Sequence, residues 1–456
     1  MRTDHQADAI VVGAGLAGVA AACALAQIGK RVLVLESAQS RRRQIGGELI
    51  QPGGLDALER LGLLAPLLRR AAAPIAGFAA FRTDAGSRDF ELLDYASSEG
   101  AAFGQVIERD SMASALRAAL VALPGVEFWQ GGRFTDFAET GEGPLAVMVE
   151  HGGVQLCVSC ALLVAADGRN SIVRRAAGIV SARGPRSVML GYTLHGVELP
   201  QPGFGHLFVG GPGPVLAYAL GGRRTRLLVD IPGVPVARLD DAAFAPYAAA
   251  LPAPLHEAAR VAVTSGTSLV GPTQTITPFR TGRGRVVLVG DAAGCCHPLS
   301  ASGLSFCARD ALWLQQAVRE ARGDERQVSA RYQRLRARAQ RTRMLFASIL
   351  HDTFSAASPA SRLLCAGTFR HWRNSPRGRE STISILATRE TRLAALAREY
   401  LCCLGHCVPG LAQAGGRLPT GRGEVAGALA GLLGDTWRYA RGAIGPALPL
   451  LAKATP

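Results

Sequence analysis

The feature that most limits how this chain can fold is a glycine motif of the form G-x-G-x-x-G at Gly13, Gly15 and Gly18. It follows the apolar stretch 9–12 and opens an alanine-rich stretch, so it predicts a strand, a tight turn and a helix. Gly13 permits the turn, Gly15 leaves room for a pyrophosphate, and Gly18 lets the helix pack closely on the strand. Because a helix N-terminus attracts anions, the segment predicts a dinucleotide-binding β-α-β unit.

An acidic residue completes this unit. Glu36 follows the apolar stretch 32–35 and lies 21 residues after Gly15. A carboxylate at this point accepts hydrogen bonds from the ribose hydroxyls of an adenosine and repels a 2′-phosphate. The sequence therefore favours FAD or NAD over NADP as the bound dinucleotide.

Composition indicates a large globular protein of the cytosol. The chain has 456 residues, of which 48% are hydrophobic and 19% charged, enough for two closely packed domains. Its 10 cysteines are irregularly spaced and show no disulfide framework, which fits a reducing compartment. Glycines interrupt the first apolar run, and Asp4 and Asp8 precede it, so it does not resemble an export signal.

Two later strand ends carry acidic residues, and one helix begins with an arginine. Asp167-Gly168 follows the apolar stretch 162–166, and Gly290-Asp291 follows the stretch 286–289. Arg109 opens an R-x-x-M helix start. In this order the motifs resemble the group A flavoprotein monooxygenases over residues 8–315. The resemblance implies FAD as cofactor, with Gly290 and Asp291 at its ribityl and pyrophosphate part, Asp167 beside the flavin and the reductant, and Arg109 touching the cofactor.

The resemblance also implies an architecture. We expect an α/β fold, in which a Rossmann-like FAD-binding domain carries an inserted, mainly antiparallel β-sheet substrate domain, as in para-hydroxybenzoate hydroxylase. A helical C-terminal region follows, because the pattern after Asp310 is helical. The expected boundaries are 1–75, 100–180 and 278–320 for the FAD-binding domain, 76–99 and 181–277 for the substrate domain, and 321–456 for the helical region.

Residues 46–54, Gly-Gly-Glu-Leu-Ile-Gln-Pro-Gly-Gly, indicate a branch of this family. They resemble the G-E-x-x-Q-P-G-G segment of squalene epoxidases, a loop that lies over the flavin. The resemblance assigns Glu48 to the cofactor and Gln51 to catalysis. The short stretch 93–95, ending in Tyr95, resembles the I-P-Y-P segment of the same enzymes. It implies a catalytic Tyr95 that hydrogen-bonds Gln51.

The segment that begins His297-Pro298-Leu299 resembles the epoxidase H-P-L-T-G-G-G-M and assigns Pro298 and Gly303 to the cofactor site. Ala301 and Ser302 replace two of its glycines, which restricts the approach of the backbone to the flavin ring. This difference leaves substrates other than squalene open.

The resemblance implies a monooxygenase that transfers one oxygen atom from O2, through a flavin C4a-hydroperoxide, to a lipophilic isoprenoid or prenylated substrate. Alkene epoxidation is favoured, because no side chain is marked as the base that phenol hydroxylation uses. His195 and His206 lie in strand-like segments and are interpreted as structural. A hydroxylase of a prenylated quinone or quinolone, a flavin-dependent reductase of prenyl chains, and a basic membrane-surface protein with a non-catalytic nucleotide fold stay open. Halogenation is disfavoured, because the W-x-W-x-I-P motif is absent.

Electrons must come from outside the chain. A second G-x-G-x-x-G unit is absent, and the glycine run 210–213 contains a proline. We therefore expect NAD(P)H to visit transiently, or a flavoprotein reductase to deliver electrons.

The charge pattern favours an anionic membrane surface over nucleic acid as a binding partner. The net charge is +15, but aromatic residues make up only 6% of the chain and a nucleic-acid-binding module is not visible. Seven arginines between 326 and 343 precede the apolar stretch 344–350. With the apolar segment 425–452, they suggest peripheral contact with an anionic membrane on its cytoplasmic face, and a solvated helix face or ordinary packing explains them equally well.

The cysteine pairs do not predict a metal site. Cys157 and Cys160 point to opposite faces of a strand, Cys295-Cys296 fits apolar filling, and the cluster 402–407 lacks a partner knuckle.

Overall fold

The computed structural model describes residues 5–37, 48–71, 73–83, 90–97, 103–141, 143–233, 239–265, 268–355, 357–407 and 422–444. Gly46, Gly47 and residues 445–452 of the expected interfacial segment lie outside these ranges.

The strands of the described residues are β1 His5–Val12, β2 Val32–Glu36, β3 Leu49–Ile50, β4 Ala73–Ile75, β5 Gly77–Arg82, β6 Phe90–Asp94, β7 Gly104–Val106, β8 Val126–Gln130, β9 Arg133–Glu139, β10 Leu145–His151, β11 Val154–Ala165, β12 Ser181–His195, β13 Gly205–Val209, β14 Val215–Gly221, β15 Arg224–Pro232, β16 Leu269–Pro278, β17 Gly282–Arg283 and β18 Val286–Leu288.

The α-helices are α1 Leu16–Ala26, α2 Pro52–Arg60, α3 Leu64–Leu68, α4 Arg109–Val121, α5 Ile172–Ala176, α6 Asp241–Ala248, α7 Ala253–Thr264, α8 Gly303–Ala321, α9 Val328–Phe354, α10 Pro359–Asn374, α11 Pro376–Leu386, α12 Leu393–Gly405 and α13 Arg422–Ile444.

The first sheet has the order β17-β18-β11-β1-β2-β8, and the β9-β10 hairpin pairs with β11. Strands β1, β2, β8, β11 and β18 run parallel where they pair, as in a dinucleotide-binding sheet. Val11 of β1 is buried in one core with residues of α1 and α8, and Ile10 is buried in a second core with Phe134 and Val147 of the β9-β10 hairpin, so both faces of β1 are covered. This sheet presents the glycine turn and both acidic motifs at one edge.

The second sheet has the order β16-β12-β15-β14-β13-β5-β6. Its pairs are antiparallel except β13 with β5. Alternating apolar residues bury one face under α6 and α7, where Leu190, Phe208, Val229 and Phe244 form a separate core. A short third sheet has the order β3-β7-β4 and comes from residues between Leu49 and Val106. The expected α/β fold with an inserted, mainly antiparallel sheet is confirmed.

Helices α9 to α13 form the C-terminal region, and they correct part of the membrane interpretation. Arg336 and Arg343 of α9 are buried, and so are all residues from Met344 to Ala347. The apolar stretch after the arginines is therefore core rather than a surface that faces lipid. By contrast, α13 exposes Leu429, Leu433 and Trp437, which recur every four residues and so lie along one side of the helix.

Among the residues that the structure describes, no helix combines the length and the apolar character needed to cross a bilayer.

Candidate active site

A cavity of about 370 Å³ opens where the two large sheets meet the start of α8. One wall is formed by the first sheet and its turns, and the opposite wall by the second sheet. The first wall, which we call the cofactor wall, includes Gly15, Leu16, Ala17, Arg109, Ala166, Gly168, Arg169 and Asp291. The second, which we call the substrate wall, includes Glu48, Phe78, Met189, Leu216, Tyr218, Leu228 and Thr273.

The glycine turn has the geometry that a pyrophosphate needs. Gly13 has φ +106°, and a Cβ there would lie 2.5 Å from the carbonyl oxygen of Ala166. A Cβ on Gly18 would lie 1.8 Å from the oxygen of Gly13, so turn and helix could not pack as they do. A Cβ on Gly15 would meet nothing within 4 Å and would project into the cavity. Packing thus requires the outer two glycines, whereas the middle one leaves space for a ligand.

Two helix N-termini face the cavity without a side-chain cap. Helix α1 begins after Gly15, and helix α8 begins after Ser302 with Gly303 and Leu304 at the wall. Their free N–H groups and the positive ends of their dipoles favour negative charge in the space between them. An anionic cofactor fits this electrostatic setting.

Glu36 lies beside the turn, where the carboxylate accepts a hydrogen bond of 3.0 Å from the backbone N–H of Ala14. This contact holds the carboxylate at the end of β2, the position at which an adenosine ribose meets a dinucleotide-binding sheet.

The Gly290-Asp291 turn is held in place by a buried carboxylate, that of Asp310. Gly290 has φ +58°, and its N–H donates to Asp310 Oδ2 at 2.8 Å. Asp310 is itself held by Arg336, whose Nε lies 2.8 Å from Oδ1 in a fully buried ion pair. This arrangement presents Asp291 to the cavity, where its Oδ2 lies 3.2 Å from Nε of Arg169. Arg169 directly follows the Asp167-Gly168 motif, and this adjacency is the sequence signal from which its place in the site could have been predicted.

Asp167 and Arg109 lie differently with respect to the cavity. The Oδ2 of Asp167 accepts from the N–H groups of Ile172 and Val173, so this oxygen caps α5. Its Oδ1 is buried and makes no hydrogen bond to the residues that the structure describes. Arg109, at the first turn of α4, lines the cavity directly. Asp167 is therefore placed to shape the turn, and Arg109 to touch a ligand.

Glu48 faces the cavity from a buried ion pair. Arg226 on β15 donates to both carboxylate oxygens, at 2.8 and 3.0 Å, and the hydroxyl of Tyr218 donates to Oε2 at 2.9 Å. Burial raises the pKa of Tyr218 well above its ordinary value, so this phenol stays protonated. The predicted site residue Glu48 thus forms a polar patch on the substrate wall, and its two partners were missed because they lie far away in sequence.

Gln51 and Tyr95 meet as the sequence predicts, but behind the cavity wall. Both side chains are fully buried, and the Tyr95 hydroxyl donates to Oε1 of Gln51. Gln51 Nε2 donates to the carbonyl of Ser300 at 3.3 Å, and its N–H donates to Ser305 Oγ at 3.0 Å. The pair therefore supports the 298–303 turn from the side that faces away from the cavity. This arrangement suits a positioning role, and the catalytic role of the pair stays a prediction.

The turn that carries Pro298 and Gly303 closes the cavity beside α8. Ala301 adopts φ +46°, a left-handed conformation that glycine tolerates better than alanine. The epoxidase segment has glycine at this position. Ser302 Oγ accepts a hydrogen bond of 3.1 Å from Nε of Arg343, which also lines the cavity. Alanine at position 301 is therefore accommodated at the cost of backbone strain, and serine at position 302 adds a polar contact with Arg343.

Of the two histidines interpreted as structural, His206 is satisfied by contacts within the protein, whereas His195, at the end of β12, is exposed. Burial lowers the pKa of His206 to about 4, and its two ring nitrogens contact Phe204 O and Gln201 N–H. His206 is therefore neutral and unavailable as a base, in agreement with its interpretation as structural.

A further cluster was not foreseen. Nitrogens of His297 and His351 lie with a carboxylate oxygen of Asp230 within 4.8 Å of one another, the spacing of a possible metal site in the described part of the chain. However, the N–H of Leu299 donates to Nδ1 of His297 at 3.3 Å, which places the imidazole proton on Nε2. Nε2 is then a hydrogen-bond donor to Asp230 rather than a metal ligand, so the arrangement favours a hydrogen-bonded cluster.

Together the glycine turn, the paired helix N-termini and the acidic turn on a parallel sheet define a flavin-binding oxidoreductase fold. Residues 6–344 match the family model described as FAD binding domain. The chain belongs to this family, and FAD is its cofactor.

Curated relatives and solved structures agree with this assignment. The chain is 29% identical over 321 residues to squalene monooxygenase SE1 of Panax ginseng, covering 69% of this chain and 59% of that protein. It is 28% identical over 389 residues to the squalene epoxidase of Aspergillus fumigatus, covering 81% of this chain and 79% of that protein. The match to the ginseng relative thus spans less than two thirds of that protein's length.

The fold is shared with PqsL, a probable FAD-dependent monooxygenase of Pseudomonas aeruginosa. The superposition has a TM-score of 0.67 at 23% identity and covers 77% of this chain and 98% of that one. At this identity the likeness extends to the fold.

Proposed function

We propose that this protein is an FAD-dependent monooxygenase that inserts one oxygen atom from O2 into an alkene of a lipophilic, isoprenoid-type substrate. The observation that carries the proposal is the apolar lining of the substrate wall directly opposite the cofactor wall. Phe78, Met189, Leu216, Leu228 and Leu299 face this space. Such a lining binds hydrocarbon and excludes the water that would divert an oxygen-transfer reaction.

Two titratable side chains of the cavity lining, His206 and Glu48, are already engaged, which favours epoxidation over phenol hydroxylation. Hydroxylation of a phenol benefits from a group that removes the ring proton. His206 is neutral and engaged on both nitrogens, and Glu48 is held by Arg226 and Tyr218. Oxygen transfer to an alkene needs no proton removal from the substrate, so it fits these residues better.

Bound FAD would supply the two-electron activation of oxygen, and the chain would supply binding and orientation. Gly15 and the α1 N-terminus would hold the pyrophosphate, Glu36 the adenosine ribose, and Asp291 with Arg109 the middle of the cofactor. Gln51 and Tyr95 would fix the 298–303 turn against the flavin. Electrons would come from NAD(P)H or from a flavoprotein reductase.

The direct test incubates the purified protein, FAD and NADPH with squalene or with a prenylated quinolone, in detergent under air. Mass spectrometry should find one added oxygen on an alkene. Oxygen added to the ring would overturn epoxidation, and a colourless protein that binds no FAD would point to a non-catalytic surface protein instead.

Hydroxylation of a prenylated quinone or quinolone is the second candidate, and the polar patch of Glu48, Tyr218 and Arg226 favours it. A squalene-like hydrocarbon has no group to match this patch, whereas a ring oxygen or a hydroxyl at one end of a prenyl chain does. The quinolone arm of the same experiment decides between them.

We also propose that α13 makes peripheral contact with an anionic membrane. Leu433 and Trp437 are 72% and 67% exposed on one side of the helix, and tryptophan favours the interface between lipid and water. The double variant Leu433→Glu/Trp437→Glu should lose most binding to phosphatidylserine vesicles in a flotation assay. Val121→Glu, at an equally exposed apolar residue on α4, is the control and should bind as the wild type does. Undiminished binding of the double variant would refute the contact.

A further inference from the structure

A buried charged cluster joins three distant parts of the chain beside the cavity, and one of its members, His297, also lines the cavity. Asp230 comes from β15, His297 from the turn before α8, and His351 from α9. Asp230 Oδ1 lies 3.3 Å from Nε2 of His297, and Oδ2 lies 3.4 Å from Nε2 of His351. Asp230 is 1% exposed, so its charge is balanced by these neighbours rather than by water. Cofactor binding and the apolar pocket explain none of these contacts.

Two hydroxyl groups connect the cluster to the cavity. Ser187 Oγ donates to Asp230 Oδ1 at 2.8 Å and lies 3.2 Å from Nε2 of His297. Ser187 Oγ is also hydrogen-bonded to Oγ1 of Thr273, and Thr273 lines the cavity. Both hydroxyl residues are otherwise buried. A continuous chain of polar atoms thus runs from the cavity to Asp230.

The far end of this chain reaches solvent. The side chain of His351 is 26% exposed, and its Nδ1 lies 3.7 Å from Oδ1 of Asp352. Asp352 in turn accepts hydrogen bonds from Arg438 at 2.7 Å and from Tyr439 at 2.5 Å, both on α13. His351 is therefore the point at which protons can enter from water.

The charge states suit proton storage. Burial alone would lower the pKa of His351, but the carboxylates of Asp230 and Asp352 outweigh it and raise the pKa to about 9. Burial lowers the pKa of His297, which stays neutral. Burial opposes ionisation of Asp230, yet the two imidazoles hold its pKa well below the usual range. The titratable and charged groups around His351 are Asp230, His297, Asp352, Asp435, Arg438 and Tyr439.

The proposed reaction needs a proton that its reductant does not supply. Substrate, O2, NAD(P)H and one proton give oxygenated substrate, water and NAD(P)+. The hydride brings both electrons and one hydrogen, so the remaining proton must come from solvent. The apolar side chains Phe78, Met189, Leu216 and Leu228 limit water around the substrate, and a chain of hydrogen-bonding and ion-paired side chains can deliver the proton there.

We propose that Thr273, Ser187, Asp230 and His351 form a proton relay from solvent to the cavity. Thr273 gives its hydroxyl proton to the acceptor in the cavity, and Ser187 restores it. The Asp230 carboxylate accepts a proton from His351 and passes it to Ser187, and water reprotonates His351. One proton moves inward and each relay group returns to its starting state. Thr273 is the member that touches the reacting space, and the others act through it.

The relay rests on the proposed oxygen chemistry but can be tested without the substrate. Reoxidation of reduced FAD by O2 to release hydrogen peroxide also consumes one proton, so it can be followed by flavin absorbance alone. Thr273→Val and Ser187→Ala keep size and remove the hydroxyls. Each should slow reoxidation by about tenfold or more and enlarge the solvent isotope effect. Thr225→Val, at a buried threonine of β15 that bonds Val197 O instead, is the matched control and should behave as wild type.

The pH dependence distinguishes a relay from a structural role. The wild-type rate should fall as the pH rises through about 9, where His351 loses its proton. His351→Gln should be slow at every pH and lose this alkaline limb. Independently of turnover, NMR of labelled histidine should give His351 a pKa near 9, and Asp230→Asn should move it towards the ordinary value.

Three results would overturn the relay. The first is that Thr273→Val and Ser187→Ala keep the wild-type rate and pH profile, and the second is that His351 titrates at an ordinary pKa. The third is stoichiometric binding of zinc that is lost in His297→Ala, because a metal on Nε2 of His297 would break the hydrogen bonds to Asp230 and Ser187. If reoxidation follows the expected pattern and no substrate is oxygenated, the relay stands and the substrate proposal fails.

Discussion

The two walls of the cavity are built in different ways. The cofactor wall comes from short contiguous motifs at strand ends, such as Gly13 to Gly18 and Gly290-Asp291. The substrate wall is assembled from contacts between distant residues, for example Glu48 with Arg226, 178 positions apart. A turn motif encodes its own geometry, whereas a tertiary ion pair depends on two sheets meeting correctly. Substitutions on the two walls should therefore have different effects: those on the substrate wall should lower stability, and those on the cofactor wall should lower FAD affinity.

The largest effect is expected on the substrate wall. Glu48→Gln leaves the buried guanidinium of Arg226 without its counter-charge, and breaking such a pair costs about 3–5 kcal/mol of unfolding free energy. Urea denaturation measures this loss. Glu257→Gln removes an exposed partner of Arg260 and should leave the denaturation midpoint unchanged. Equal midpoints for Glu48→Gln and wild type would mean that the pair does not stabilise the substrate wall.

A smaller effect, confined to the cofactor wall, is expected for Gly15→Val. The new side chain meets no protein atom near its Cβ but enters the pyrophosphate space. FAD affinity should fall about 10- to 100-fold, as overpacking of this size predicts, while the apoprotein keeps its thermal stability. Fluorescence titration with FAD measures the affinity. Gly405→Val, at an exposed glycine with equally open surroundings, should bind FAD normally. Normal affinity of Gly15→Val would place the pyrophosphate elsewhere.

The smallest effect is expected behind the wall. Tyr95→Phe removes the hydroxyl that donates to the buried Gln51 and should cost about 1–3 kcal/mol of stability, because Oε1 of Gln51 loses its partner. FAD should stay bound, and turnover should fall because the 298–303 turn is less firmly held. Calorimetry and product formation measure the two effects. Unchanged turnover would restrict Tyr95 to a structural role.

The same difference explains what the sequence could predict. The turn at Gly13, the order of the acidic motifs and the contact between Tyr95 and Gln51 followed from local patterns and from resemblance. The partners of Glu48 and the Asp230 cluster did not, because Arg226, Ser187 and His351 carry no local signature and meet only after the sheets and α9 pack together.

The prediction of membrane-facing segments was limited in the same way, because it depended on packing that local sequence patterns do not encode. The arginines of α9 and the apolar stretch 344–350 have the composition of a membrane-binding segment. However, Arg336 is buried in an ion pair with Asp310. Helix α13 has a weaker sequence pattern and exposes an apolar row. Composition shows what a segment can do, but packing decides which face is free.

The measurement that tests the monooxygenase proposal most directly is turnover under dioxygen made of the heavy oxygen isotope. The reduced enzyme and a lipophilic alkene are mixed under labelled O2, and product and water are analysed by mass spectrometry. One labelled atom in the product and one in water are expected. Product that carries oxygen from unlabelled water, or labelled hydrogen peroxide without oxygenated product for any alkene or prenylated ring tested, would contradict monooxygenation.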